Sequence, residues 1–374
     1  MKKKRQVTIV GAGITGLSTV FHLTQQGVDD ITLIYDPKIA PTTGAGFALG
    51  SLFDNFTRLS HAYGHKLARS VYAFAQQSLQ ALLTFCAQQK LPVATGKHWR
   101  LVVSDSEMIE ARKAATQMQA AGFACQLLPP PSFMSKQVQA IQDDGIGAAL
   151  LDEHLLLTKL HSLHQAEVMH QRVIRVENAS NACVVHTADG DCIRSEMLVL
   201  ACHQHIGGLL PNLHEVIIPY ADQWGSYQVT ANPLRCGDFF TAKHGLEWGL
   251  AVAPDQIRLG GARYLLPLAG IGMRESRVNM RVATHLGNRF LGLIPAFKSC
   301  KHQQSMASCG VRPCDELPLI SPMYGNERIL LATGYMGAGL AMGFMAGKCL
   351  ATIIQHGKCS FLPAALAVKR QRSV

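Results

Sequence analysis

The chain has 374 residues, 48% hydrophobic and 16% charged, which is enough apolar material for two domains or one large composite one. Its formal charge of +10 admits an anionic partner (nucleic acid, an acidic lipid surface or an anionic small substrate), but no long basic run or Arg/Gly repeat lies inside it. Eleven cysteines without a single Cys-x-x-Cys spacing argue against a zinc or dithiol motif; with no signal-peptide pattern, they read as reduced thiols of a cytoplasmic protein.

The basic ends, Met1–Arg5 and Lys369–Arg372, read as frayed. Lys2–Arg5 followed by Val7–Val10 is too short an apolar run for a signal peptide. Val7–Val10 predicts a buried strand, Gly11–Gly16 a turn, and Leu17–Gln26 a helix stopped by Gly27. Ile31–Tyr35 predicts the next strand, ended by Asp36-Pro37, which completes a β-α-β unit that feeds a parallel sheet.

A long amphipathic helix is expected over His65–Gln89, a charged helix near Glu107–Ala121, a loop at Pro129–Pro131 and a helix over Leu151–Gln165. Glu167–Glu177 and Ala182–Ile193 predict a small antiparallel meander, and Met197–Ala201 a buried parallel strand. Alternating strands follow between 216 and 264, including Gly249–Ala253 and Gln256–Arg263, then a helix over Arg274–Phe290. On that helix Arg274, Arg277 and Arg281 would share one face, either solvated or facing phosphates. Ile329–Gly347 has no charged residue but holds five glycines (334, 337, 339, 343, 347). It reads as a strand, a glycine turn and a helix over Leu340–Gln355, not as a membrane span.

Gly11-x-Gly13-x-x-Gly16 is the central motif. The first glycine allows the tight turn, the second lets a pyrophosphate approach the backbone, and the third lets helix and strand pack closely; the helix N-terminus offers unpaired N–H groups to phosphate. The motif follows a strand, opens a helix and has an acid, Asp36, twenty residues past Gly16, a candidate for the ribose hydroxyls. Tyr35 occupies the strand end where such folds often place Glu. A second glycine-rich strand-turn-helix spans Leu331–Gly339. Two such turns at opposite ends of one interrupted domain suit a long extended cofactor, FAD, with its ADP half at the first.

Three stretches carry a resemblance to the D-amino-acid oxidase/glycine oxidase superfamily of flavoenzymes: Val7–Asp36, Gly44-Ala45-Gly46, and Gly310-Val311-Arg312-Pro313 with Asp315–Pro318 and Leu331–Gly339. The last pattern is also similar to that of the oxidase half of bifunctional enzymes of tRNA methylaminomethyl-thiouridine biosynthesis. The methyltransferase half is absent, the Arg312–Asp315 spacing is shorter than usual, and Cys202-His203 stands where many relatives carry Gly.

The resemblance implies an α/β fold: a Rossmann-like FAD-binding domain (parallel sheet plus small antiparallel meander) with an inserted, mainly antiparallel substrate domain. The expected ranges are 1–90, 145–210 and 310–374 for the first, and 91–144 and 211–309 for the second. By the same resemblance Gly11, Gly13, Ile14, Thr15, Gly16 and Asp36 would hold the ADP moiety, and Val173 would offer backbone to adenine. Ala45 and Gly46 would lie along the flavin side; Gly334, Gly337, Ala338 and Gly339 would lie against its pyrimidine end or ribityl chain. Arg312 would anchor a substrate carboxylate through two parallel hydrogen bonds. The other reading of Arg312 is a structural ion pair with Asp315 or Glu316. His203, His205 and His244, and Tyr220, Tyr227 and Tyr264, are further site candidates, each equally readable as surface or core. Some relatives attach FAD through a cysteine near Arg312, which Cys309 and Cys314 flank; free thiols are the default.

The implied activity is FAD-dependent oxidation of the C–N bond of a glycine-like or N-substituted amino acid or amine, with oxygen or another electron acceptor and no obligatory protein base. A tRNA wobble-uridine oxidase acting on a carboxymethylaminomethyl group, itself an N-substituted glycine, is one alternative. A flavin-binding subunit or inactive relative is the other. No metal is expected.

Overall fold

The computed structural model describes residues 5–39, 44–53, 56–129, 131–135, 139–143 and 146–367. The basic stretches Met1–Lys4 and Lys369–Arg372, and Pro130, lie outside them. The chain divides into two compact units: Met1–Thr43 with Glu153–Pro219 and Gly310–Val374, and Gly44–Asp152 with Tyr220–Cys309. These bounds differ from the ranges read in the sequence. Segments 44–90 and 145–152 belong with the second unit, and 211–219 with the first.

The first unit is built on a parallel sheet in the order Glu167–His170, Ile31–Tyr35, Arg5–Val10, Cys192–Leu200, Asn326–Thr333. Val7, Ile9, Ile34, Leu198 and Leu331 are buried, and so is Thr8 between Val7 and Ile9. The central strand therefore has apolar neighbours on both faces, as parallel strands require. Its register places Val10 beside both Ile34 and Leu200. The chain leaves Arg5–Val10 for one neighbour and returns later to the other, so the carboxyl end of this strand is the topological switch point of the sheet.

Two expectations are corrected here. Glu167–Glu177 is not one strand of a meander: Glu167–His170 joins the parallel edge, and a new strand, Val173–Ala179, turns antiparallel to Ala182–Thr187. Cys192–Leu200 is one continuous strand, antiparallel to Ala182–Thr187 at its start and parallel to Arg5–Val10 from Ser195 to Leu200.

Helix Ile14–Gln25 packs on helix Gly339–His356. Their approach depends on glycine, because a Cβ at Gly347 would lie 2.6 Å from Ser18 and one at Gly343 would lie 2.6 Å from Ile14. The Ser18 hydroxyl donates to the Phe344 carbonyl at 2.6 Å across this contact.

In the second unit the strand Ile217–Val229, which begins in the first, alternates buried residues with part-buried or exposed ones along its length, the period of a half-buried strand. The sheet runs from Cys300–Pro313 through Ile217–Val229, Gln256–Gly261, Glu247–Ala253, Phe239–Ala242, His98–Val102 and Gln139–Asp143 to Cys125–Leu128. From Ile217–Val229 to Cys125–Leu128 neighbouring strands pair antiparallel, except for Phe239–Ala242 beside His98–Val102. Phe240, Ile257, Leu259, Leu286 and Phe290 fill its core. A three-stranded sheet of Phe47–Leu49, Ala148–Leu151 and Val93–Gly96 and the helix His65–Gln88 complete the unit.

The last helix of this unit runs over Met280–Leu293 rather than Arg274–Phe290, because Asn279 caps it, its side chain accepting from Arg281 N–H at 3.0 Å. Arg274 and Arg277 therefore precede the helix, and the three-arginine helical face is absent. The helix expected over Leu151–Gln165 is Glu153–Ser162, since Leu151 ends a strand. No helix among the described residues is long and apolar enough to cross a membrane.

Candidate functional site

The three glycines of the first turn meet three different demands. Gly11 has φ +109°, and a Cβ there would lie 2.6 Å from the Ala201 carbonyl oxygen; at Gly16 it would lie 1.8 Å from the Gly11 carbonyl oxygen. Backbone conformation and packing thus require both. Gly13 has an ordinary φ of −75°, and nothing lies within 4 Å of where its Cβ would be. Neither strain nor packing explains it; the missing side chain leaves open the space in front of the helix.

Gly13 is the N-cap of helix Ile14–Gln25, and no side chain caps that end and no acid lies in its first turn. The first-turn N–H groups have no intrahelical acceptor and carry the positive end of the helix dipole. The Ile14 and Thr15 side chains face the other way: Ile14 packs against Gly343, and Thr15 Oγ1 lies 2.7 Å from the Tyr335 hydroxyl. Only backbone is left to face an anion, the arrangement a pyrophosphate needs.

The second turn continues strand Asn326–Thr333. Gly334 has φ +75°, and a Cβ there would lie 2.3 Å from Pro313 Cγ, so the Arg312-Pro313 segment sits directly on this turn. Met336 and Gly337 also take positive φ (49° and 90°). Fully buried Ala338 then begins helix Gly339–His356, again without a capping side chain or an acid in the first turn. Space around a Cβ at Gly339 is open. Two uncapped helix N-termini therefore follow strands of one parallel sheet, at its carboxyl edge.

At the same edge, Arg312 is the penultimate residue of strand Cys300–Pro313, and its Nη2 pairs with the Glu316 carboxylate four residues on. Glu316 sits at φ +60°, and the Asp315 carboxylate accepts from Leu317 N–H at 3.2 Å. Of the two acids read beside Arg312, Glu316 forms an ion pair with it.

Asp36 follows its strand, and its Oδ1 accepts from Lys38 N–H at 2.9 Å in a turn. Val173 opens an edge strand just after His170, whose ring lies 4.9 Å from that of Tyr35. Cys202-His203 lies against Gly11, with a Gly11 Cβ position only 3.1 Å from Cys202 Cα. His203 has φ +52°, a conformation that favours glycine. Burial pushes the Cys202 thiol up to about 12 and pulls the His203 imidazole down to about 4.

Within the second unit, Ala45 and Gly46 are held by backbone and by Arg258. Arg258 Nη1 donates to the Ala45 carbonyl at 2.6 Å, and Leu151 N–H donates to the Gly46 carbonyl at 2.9 Å. Gly46 has φ +73°, and a Cβ there would lie 2.7 Å from the Leu151 carbonyl oxygen.

Sequence reasoning missed a polar cluster in this unit, centred on the fully buried Glu247. Its carboxylate accepts from the Tyr264 hydroxyl and from Arg289 Nε (3.2 Å), with His285 Nε2 at 3.2 Å. Burial alone would raise its pKa, but these partners together hold it below the usual carboxylate range. The signal available was a lone acid heading an apolar strand, Glu247–Ala253, with His285 and Arg289 at i, i+4. Tyr227 is core, its hydroxyl donating to the Ala283 carbonyl, and His244 lies 3.5 Å from Glu110 and 3.7 Å from Glu107.

Comparison with solved structures finds the same fold in glycine oxidase from Geobacillus kaustophilus (TM-score 0.80, 16% identity, 98% of this chain and 99% of that one). It recurs in L-proline dehydrogenase from P. horikoshii (0.76, 15%, 98% and 97%) and in iminodiacetate oxidase from Chelativorans sp. BNC1 (0.74, 16%, 96% and 97%). No curated protein sequence matches the chain. The family model described as FAD dependent oxidoreductase (DAO) matches residues 6–353, which span both glycine turns and Arg312. With nearly the whole chain matched, this protein belongs to the DAO family of FAD-dependent oxidoreductases.

Proposed function

We propose that the chain oxidises the C–N bond of a glycine-like or N-substituted amino acid, a reaction for which FAD, when bound, supplies the hydride acceptor. The open space at Gly13 and the two uncapped helix ends fit such a cofactor. In this reading the backbone of Gly11, Gly13, Ile14, Thr15 and Gly16, with Asp36, holds the ADP half, and Val173 offers backbone to adenine. Ala45 and Gly46 line the flavin's side, and Gly334, Gly337, Ala338 and Gly339 its other end. Thr15 and Tyr335 keep the two turns in register.

The observation that carries the substrate reading is Arg312 holding a carboxylate beside the Gly334 turn. The Glu316 side chain stands where a substrate carboxylate would, so binding exchanges one carboxylate for another on the same guanidinium. That exchange fixes the substrate through two hydrogen bonds and leaves its amine-bearing carbon as the part to be oriented. Glycine, iminodiacetate and proline, named in the structural neighbours, all carry an amine on a carbon beside a carboxylate.

The test is an anaerobic absorbance titration of the FAD-loaded protein with glycine, sarcosine, iminodiacetate, D-amino acids and undermodified tRNA. Bleaching of the flavin by a small amino acid is expected, with about 100-fold more substrate needed in Arg312→Ala while the flavin stays bound. Bleaching by tRNA alone would replace this reading with the wobble-uridine one, which the +10 charge would suit. No bleaching by any of them would overturn it.

A further inference from the structure

Five of the eleven exposed large hydrophobic residues among those described fall between 268 and 280: Leu268, Ile271, Met273, Val278 and Met280. Leu268 is 85% exposed, the most of all of them. Arg274, Arg277 and Arg281 are exposed in the same stretch, with Glu275 its one acid, a net charge of three minus one. This concentration of exposed apolar side chains, interleaved with cations within fourteen residues, singles the segment out as a candidate interaction surface.

The segment is held, not loose. The Arg263 guanidinium donates to the Ala269 carbonyl at 3.3 Å and lies over the Tyr220 ring. Ile271 bridges Tyr220, Gly270 sits against Ala221, and the Ser276 hydroxyl donates to the Asp222 carbonyl at 3.1 Å. At the tip Leu268 and Ala269 take left-handed φ (48° and 51°), which side chains rarely adopt. The fold thus sustains backbone strain in the turn that presents its most exposed apolar side chain to solvent.

We propose that residues 268–281 dock on an anionic lipid surface, with the Leu268 and Ile271 side chains among acyl chains and Arg274, Arg277 and Arg281 against phosphates. The composition selects this occupant. Residues 268–281 contain no aromatic ring on which unstacked bases could stack, and the ring beside them, Tyr220, lies under the Arg263 guanidinium, which disfavours RNA. A second copy of the same face would bring three arginines against three arginines. Aliphatic side chains flanked by arginine match the interfacial binding of peripheral proteins, which needs no spanning helix.

The test is sedimentation of the full FAD-loaded chain with sucrose-filled vesicles of phosphatidylglycerol and phosphatidylcholine (1:1), compared with phosphatidylcholine alone. The protein should pellet with the anionic vesicles and stay in solution with the neutral ones. Leu268→Asp/Ile271→Asp should abolish pelleting. Arg274→Gln/Arg277→Gln/Arg281→Gln should weaken it on the order of 100-fold, about tenfold or less per arginine. Flavin absorbance and unfolding temperature should be unchanged in both variants, because every substituted side chain is exposed. A wild-type chain that ignores anionic vesicles overturns the proposal, as do variants that pellet equally well. A gel-filtration dimer dissolved by Leu268→Asp/Ile271→Asp, or RNA retention lost in the same variant with no vesicle binding, would give the patch to those partners instead.

Discussion

The hydroxyls of Thr15 and Tyr335 lie 2.7 Å apart, joined across 320 positions of sequence. Each belongs to one of the two glycine-rich turns, and both side chains are buried. Burial pushes the Tyr335 phenol well above its ordinary value, so it stays a neutral hydrogen-bonding group at any working pH. Thr15→Val or Tyr335→Phe leaves the other hydroxyl buried without its partner and should cost about 1–3 kcal/mol in urea unfolding. The double variant should cost less than the sum of the two; strict additivity would mean the hydroxyls are not coupled.

Gly13 and Gly16 should separate ligand binding from folding. Gly16→Ala puts a methyl 1.8 Å from the Gly11 carbonyl oxygen, backbone against backbone, and should destabilise the apoprotein by about 3 kcal/mol or more. Gly13→Ala meets nothing within 4 Å and keeps an allowed φ, so it should cost the apoprotein at most about 1 kcal/mol, the worth of an N-cap. Its FAD affinity should nevertheless fall at least about tenfold, roughly 1.4 kcal/mol. Thermal unfolding of apoprotein beside FAD fluorescence titration checks both. Undiminished FAD affinity in Gly13→Ala would mean the open space is not the cofactor's.

Short-range patterns were legible in the sequence because their causes are short-range. The helices His65–Gln88 and Gly339–His356 start and stop within a residue of the periodicity-based ranges. Arg274–Phe290 was misread at its start because the competing signal, the Asn279 cap, is a single polar residue within a stretch that continues the helical spacing. The strand break at Gln171-Arg172 carries no Gly or Pro; it follows from which neighbour each half pairs with, and pairing is a property of the whole sheet. Thr15–Tyr335 and the Glu247 cluster depend on residues far apart in the chain, which spacing does not encode.

Three histidines set a pH dependence. Burial pulls His22 down to about 4, pulls His203 down to about 4, and holds His98 well below its ordinary value. An imidazole kept neutral in the fold binds its proton more readily in the unfolded chain, whose value is near 6.5. Stability contributed this way is therefore complete above about pH 6.5 and is lost as pH falls toward 4. Asp222, pushed up by burial to about 6, works in the opposite direction over about 3.8–6, but it stands against these three histidines and against His164 and Glu247, both also shifted down. The unfolding temperature should fall steadily from pH 7 to 4.5. His98, fully buried between Ser51 and Thr241, should contribute a slope of up to about 1.4 kcal/mol per pH unit. His98→Gln should lower stability at pH 7 and flatten the slope; an unchanged slope would assign the effect elsewhere.

The Arg312–Glu316 pair makes the last prediction, which rests on the proposed substrate reading. If Glu316 holds the guanidinium until a substrate carboxylate displaces it, the internal carboxylate is a competitor built into the chain. Glu316→Gln removes the competing charge and leaves Arg312 in its strand. KM for the carboxylate substrate should then fall several-fold with kcat nearly unchanged, the signature of altered ground-state binding. Arg312→Ala should raise KM about 100-fold, the loss of roughly 3 kcal/mol of charge-assisted hydrogen bonding, and Arg312→Lys should recover only part, because an ammonium cannot hold a carboxylate through two parallel bonds. A purely structural pair behaves differently. Either substitution would then lower the unfolding temperature by a similar amount, and KM would not distinguish Glu316→Gln from the unaltered chain.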